Sequence, residues 1–232
     1  MENNKQAFFA LLRAGLWERD CSLSEYGEID YAAILRMAEE QSVVGLITAG
    51  LDLVKDVKIP QEWTLQFIGS TLQIEQRNKA MNEYVARLIE KLRTEGIYAL
   101  LIKGQGISQC YERPLWRTCG DVDLFLSNDN YKTAKVFMST FAKKTSEEIE
   151  ERLHSEYEID SFIVELHGSL KTGLWSSVEK VLEDVQQDIF YGGNVRSWRN
   201  GKTQVFLPSV DNDIIIIFTH ILQHFSTCTV EN

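Results

Sequence analysis

What this 232-residue chain lacks narrows its possible roles before any motif is considered. Its four cysteines, Cys21, Cys110, Cys119 and Cys228, are scattered and never form C-x-x-C. A zinc ribbon or a redox pair needs that close spacing, so reduced thiols in a cytosolic protein are the simpler account. Proline is scarce, at three residues, and neither it nor glycine is enriched in a way that would signal disorder. No apolar run approaches the roughly 20 residues of a membrane helix; Val43 to Val54 and Ile214 to Phe218 are the most apolar stretches. The N-terminus has an apolar patch but no basic leader with a small-residue cleavage site. These absences predict a cytoplasmic protein with no membrane partner. Positive charge is also short, with 24 Lys and Arg against 34 Asp and Glu and a net charge of −10. So acidic a surface repels a phosphate backbone, because generic nucleic-acid binding depends on cations that neutralise phosphates. Nucleic acid is disfavoured as a partner. A nucleoside triphosphate held by a few local cations is not.

The chain reads as three consecutive regions, without repeats. Residues 1–95 are helical in pattern. Asp30 is placed to cap a helix containing Ala33, Ile34, Met37 and Ala38, and a second helix is predicted over Val43 to Val54. Pro60 fits the first turn of a third, whose apolar face runs Met81, Tyr84, Val85, Leu88, Ile89, Leu92. Gly69-Ser70 is expected to bend or interrupt it, and Gly96 to end it. Residues 96–207 change grammar. Strands are predicted at Ile97 to Ile102 and Val122 to Leu126, with short helices over Gly106 to Tyr111, ended by Pro114, and Asn128 to Phe141. Two hairpins follow: His154 to Ile159 with Phe162 to Leu166 around Asp160-Ser161, and Val195 to Leu207 around Asn200-Gly201. A helix over Trp175 to Asp188 separates them. Residues 208–232 begin a C-terminal helical region that breaks off into a polar tail, as if truncated. The fold class is α+β: a small mixed β-sheet core flanked by N-terminal and C-terminal helices.

The chemistry concentrates between Leu100 and Leu126. Alternation along a strand points Asp121 and Asp123 to one face, their Cα atoms about 6.6 Å apart. Paired carboxylates repel by up to about 4 kcal/mol at 4 Å in a medium of effective dielectric 20. A protein that aims them at one point usually supplies a cation, and oxygen ligands suit Mg²⁺. D-x-D alone marks a solvated strand end more often than a metal site, as Asp211-Asn212-Asp213 illustrates: it follows Pro208-Ser209 and fits a helix's first turn. The other pair has company. Lys103-Gly104 ends the preceding strand, Arg117 precedes the acids, and Val164-Glu165-Leu166 sets a further carboxylate between apolar residues, where it is costly unless paired or metal-bound. Gly104-Gln105-Gly106 is no P-loop, since Gly-Lys-Ser/Thr is missing. His220 and His224 stand four apart but lack the glutamate of a zinc-protease motif, so helix packing is the better account of them.

That layout resembles the polymerase-β-like nucleotidyltransferase superfamily. Over about Tyr98 to Leu170 the chain is most similar to an uncharacterised bacterial nucleotidyltransferase family with Lys-Gly, Arg-x-x-x-Asp-x-Asp and Glu-x-His motifs, here Lys103-Gly104, Arg117 with Asp121 and Asp123, and Glu165 with His167. The Lys-Gly turn is also similar to that of abortive-infection toxin nucleotidyltransferases. It replaces the superfamily's Gly-Ser, so no serine contact to the triphosphate is implied. The resemblance implies a two-metal transfer of a nucleoside monophosphate, with ATP as the favoured donor, to a hydroxyl of an unidentified small molecule or protein. Asp121, Asp123 and Glu165 would be catalytic and ligate Mg²⁺, with Mn²⁺ as the alternative, and Glu165 could serve as general base. Lys103, Gly104, Arg117 and His167 would bind the nucleotide. Two rival readings stay open: a nucleotide-binding regulatory module without turnover, and a toxin-like transferase acting on a tRNA or protein.

Overall fold

The computed structural model describes residues 2–146 and 150–228. Eight α-helices and seven strands occur among them, and internal contacts divide the chain into two compact units.

The first unit comprises Met1–Ala80 and Ser108–Cys119. Its helices are α1 (Glu2–Trp17), α2 (Tyr31–Glu40), α3 (Val44–Asp52) and the first part of α4, which runs Gln61–Thr94. Asp30 caps α2 as expected, accepting from the Ala33 amide at 3.0 Å. Phe8, Leu11, Leu23, Ile34, Ile47 and Phe67 form the core. α1 and α3 cross almost backbone to backbone: a Cβ on Gly15 would fall 1.9 Å from the Leu46 carbonyl oxygen, and one on Gly50 2.1 Å from that of Leu11. Only glycine fits either position. Pro60 stands just before α4, and its carbonyl accepts from the Trp63 and Thr64 amides. Gly69 does not interrupt that helix; a side chain there would meet nothing within 4 Å, so the helix loses only the weak local preference of one residue. Buried Asn78 donates to the carbonyls of Leu115 (2.8 Å) and Arg117 (2.7 Å), fastening the Ser108–Cys119 segment. Pro114 does not end a helix but opens the 3₁₀ turn Pro114–Trp116, consistent with proline's fit to a first turn.

The second unit comprises Met81–Ile107 and Gly120–Asn232. Its strands are β1 (Ala99–Ile102), β2 (Val122–Leu126), β3 (Lys143–Lys144), β4 (His154–Ile159), β5 (Phe162–His167), β6 (Val195–Asn200) and β7 (Thr203–Pro208). They form one mixed sheet in the order β3-β4-β5-β2-β1-β7-β6. β2 runs parallel to β5 and antiparallel to β1, which pairs parallel with β7. The sheet is larger than the sequence suggests by β3. Asp160 and Ser161 both take positive φ (50° and 70°), the left-handed pair that a two-residue hairpin turn requires. The remaining helices are α5 (Gly104–Ser108), α6 (Asn128–Met138), α7 (Ser176–Phe190) and α8 (Val210–Cys228). α5 starts two residues earlier than the sequence suggests and is shorter. Gly96, at φ +72°, follows the end of α4.

Both faces of the sheet are covered, and every residue of β2 is buried. On one face Leu100, Ile102 and Phe125 pack with Leu182, Val185 and Ile189 of α7 and Ile216 of α8. On the other side of the unit, α4 stacks Tyr84 on Phe162, ring centroids 4.9 Å apart, and sets the Lys91 ammonium 3.1 Å from the centre of the Phe141 ring. No described helix is long and apolar enough to cross a membrane.

Candidate active site

The site is a consequence of register. Two rows cross the α7/α8 face of the sheet. Asp123 pairs with Ile102 on one side and Glu165 on the other, while Phe125 pairs with Leu100 and His167. Across the hairpin His167 pairs with His154, and Glu165 with Glu156. Strand alternation aims these side chains at one face and sends Val122, Leu124 and Leu126 to the other. Asp121, one residue ahead of β2, joins them: ligand oxygens of Asp121, Asp123 and Glu165 all lie within 4.8 Å of one another.

Hydrogen bonds tie the cluster together. The Lys103 ammonium is 2.8 Å from Asp123 Oδ1, and His167 Nε2 is 2.9 Å from the same oxygen. His167 Nε2 and His154 Nε2 each stand 3.3 Å from Glu165 Oε2. Asp123 is only 2 % exposed. Its burial opposes ionisation, but the His167 hydrogen bond and the Lys103 charge outweigh that and hold its carboxyl below the usual range. Glu165 is also held well below the usual range, first by its hydrogen bond to His154 and then by that to His167. For His167, burial pushes towards the neutral ring, yet the hydrogen bonds to Asp123 and Glu165 prevail and raise it. Asp121 behaves oppositely: burial, then the charges of Asp123 and Glu165, push its carboxyl up, and Lys103 offsets only part of this. The cluster is short of positive charge at Asp121, and a divalent cation among the three carboxylates would supply it. The donor set, all oxygen, fits Mg²⁺ or Mn²⁺.

Lys103-Gly104 forms the turn from β1 into α5. Lys103 has φ +52° and Gly104 φ +22°, and a Cβ on Gly104 would sit 3.3 Å from the Asp121 carbonyl oxygen. A lysine held left-handed beside a cluster of charges is the kind of local strain that concentrates at functional sites. Arg117 belongs to the first unit, where its guanidinium donates to Cys119 Sγ (3.1 Å) and the Thr118 carbonyl (3.4 Å). Of the residues singled out in the sequence, then, the second unit gathers Lys103, Gly104, Asp121, Asp123, Glu165 and His167.

His154 is the residue that sequence reasoning missed, although a signal was there. A two-residue turn at 160–161 pairs positions that sum to 321, which sets 154 opposite 167. The other acidic doublet is as expected: Asp211 and Asp213 lie in the first turn of α8, and Asp213 is 2.5 Å from Arg196 Nη2. Beside Glu165 and His167 opens a cavity of about 260 Å³, lined also by Lys103, Arg152, His154 and His220.

No curated protein matches the sequence. Among solved structures, that of a "putative nucleotidyltransferase" from Thermotoga maritima is similar, at 15 % identity over 64 % of this chain and 91 % of that one, with a TM-score of 0.42. The sequence itself matches the family described as uncharacterised nucleotidyltransferase over residues 27–230, nearly its whole length. The chain belongs to that nucleotidyltransferase family.

Proposed function

We propose that the protein moves a nucleoside monophosphate, with AMP from ATP the favoured case, onto a hydroxyl of a small molecule or protein in the cytoplasm, by the two-metal chemistry of polymerase-β-like enzymes. The observation that carries this reading is the convergence of Asp121, Asp123 and Glu165, fixed by the parallel register of β2 on β5. In the reaction the acceptor oxygen bonds to the α-phosphorus, the α–β phosphoanhydride bond breaks, pyrophosphate leaves, and the hydroxyl proton passes to solvent or a nearby base. Mg²⁺ or Mn²⁺ held by the three carboxylates would supply the charge that the reacting phosphoryl group demands.

The chain's own residues divide the remaining work. Glu165, with its carboxyl held well below the usual range by two histidines, has little affinity for a proton, which favours the role of ligand over that of general base. Lys103 has two anionic claimants: Asp123 in the free protein and the triphosphate in the complex. As a point charge on a flexible stem it can serve either. Gly104 leaves the backbone open to the phosphates, and His167 orients Asp123 and Glu165 together. Arg117 is proposed as a further phosphate contact on the strength of its motif.

One observation favours the rival reading of a nucleotide-binding module without turnover: the Lys103 ammonium already sits on Asp123. Incubation with α-labelled nucleoside triphosphates, Mg²⁺ and candidate acceptors separates the two. Label transfer that chelator abolishes, and that D121N and D123N lose, supports the enzyme. Saturable nucleotide binding with no transfer to any acceptor supports the module.

A further inference from the structure

The chain has four histidines, His154, His167, His220 and His224, and all four line the same cavity of about 260 Å³. Three elements bring them there: β4, β5 and α8. Imidazole adds little to an oxygen-ligand Mg²⁺ site, which hard carboxylates and water serve better, but it is the preferred nitrogen donor for Zn²⁺ and its neighbours.

We infer that His154, His167 and Glu165 form a second cation site, selective for an imidazole-preferring transition metal such as Zn²⁺ over Mg²⁺. Their donor atoms all lie within 4.8 Å of one another. The two histidine-to-carboxylate separations are both 3.3 Å. Ligand atoms held about 2.0–2.1 Å from a tetrahedral ion stand roughly 3.3–3.4 Å apart, so these two edges need almost no adjustment. The donors are also prepositioned. His154 and His167 are a cross-strand pair, and Glu165 is two residues from His167 on the same face. The cavity leaves room for a water in the fourth position. On binding, the ion replaces the hydrogen bonds of His154 to Glu165 and of His167 to Asp123, any proton on the ligating nitrogens passes to solvent, and Asp123 keeps Lys103 as its partner.

The site shares Glu165 with the proposed Mg²⁺ centre but does not need that reading to be right. If both hold, an ion on the histidines withdraws Glu165 from the catalytic set, and Zn²⁺ acts as an inhibitor that excess Mg²⁺ relieves poorly.

The test uses the full chain, stripped with chelator and kept in excess Mg²⁺. Zn²⁺ is titrated calorimetrically, and Co²⁺ serves as its optical probe. One equivalent of Zn²⁺ should bind to the wild type and to D121N, and Co²⁺ should give the strong visible absorption of a low-symmetry, nitrogen-bearing site that Zn²⁺ bleaches. H154A should weaken binding by about 100-fold or more, since even outer-shell partners of a metal are worth 10–100-fold. A double variant H220A/H224A should bind as the wild type does. Wild-type affinity in H154A, or loss of binding in the double variant, overturns the assignment. So does a Co²⁺ spectrum with no such band, a result that needs no variant to fold. Failure of Mg²⁺-dependent transfer with Zn²⁺ binding intact would sink the transferase reading alone.

Discussion

The chain contains two Asp-x-Asp segments, and the structure gives them different lives. Asp121-Val122-Asp123 enters a central strand, with another strand's carboxylate in register beside it. Asp211-Asn212-Asp213 opens α8. There Asn212 donates to Asp188 (2.9 Å), and Asp213 is satisfied by Arg196, which also donates to the Pro208 carbonyl (3.0 Å). In the helix, each acid finds a partner from the protein or the dipole within its own neighbourhood. In the sheet, three acids share one ammonium and two imidazoles, and the charge at Asp121 is left over. A doublet becomes a candidate site through what the fold sets opposite it, and not through its own spacing.

Breaking the two doublets should therefore have unequal consequences. D123N should lower nucleotidyl transfer by roughly 10³-fold or more, because it removes a ligand from the centre of the reacting charge. D213N should leave the rate within about twofold and instead lower stability by about 1–2 kcal/mol, since Arg196 loses its charged partner and keeps the carbonyls of Pro208 and Gly106. Parallel rate and melting measurements on the two variants check this, and equal rate losses would erase the distinction. K103M sharpens it further. It should cut kcat/KM by roughly 10–100-fold through loss of a phosphate contact, while tightening nucleotide-free Mg²⁺ binding several-fold because Asp123 loses its internal cation. Weaker Mg²⁺ binding in calorimetry would show that the lysine supports the ion and does not compete with it.

A smaller effect concerns stability against pH. Asp121's carboxyl is raised in the folded protein, so its contribution is favourable below the unfolded value near 3.8 and is lost as pH rises through the raised folded value. D121N should melt a few degrees above the metal-free wild type at pH 7, and added Mg²⁺ should close the gap. A comparable pH effect is expected at His220, lowered to about 4, mainly by burial and then by the charge of Lys103. The neutral ring contributes stability above about pH 6.5 that is lost as pH falls towards 4, on the order of 1–3 kcal/mol. H220Q should flatten that part of the wild-type melting profile.

How much of this was legible in advance depended on range. Several local signals hold in the structure, namely the Asp30 cap, the long face of α4, the glycine after it and the hairpin turn at 160–161, whereas the local breakers Gly69 and Pro114 do not act as expected. β3 was invisible, because two exposed lysines carry no apolar alternation and become a strand only by pairing with β4. The span of α5 was misjudged because a five-residue helix has no face to recognise. At the site, Asp121, Asp123 and Glu165 could be nominated from their surroundings, but the parallel register that joins β2 to β5 spans some forty residues, and no local pattern encodes it. His154 was within reach of the hairpin's arithmetic. The gathering of all four histidines was not, since it needs α8 placed over the sheet.

Asp121, Asp123 and Glu165 are proposed to hold a divalent ion between them. The most direct test is anomalous diffraction from crystals soaked with Mn²⁺ and a non-hydrolysable ATP analogue. A manganese peak is expected about 2.0–2.3 Å from oxygens of all three carboxylates, with the Lys103 ammonium moved from Asp123 to the phosphates. A bound nucleotide with no such peak, and Lys103 still paired to Asp123, would contradict the proposal.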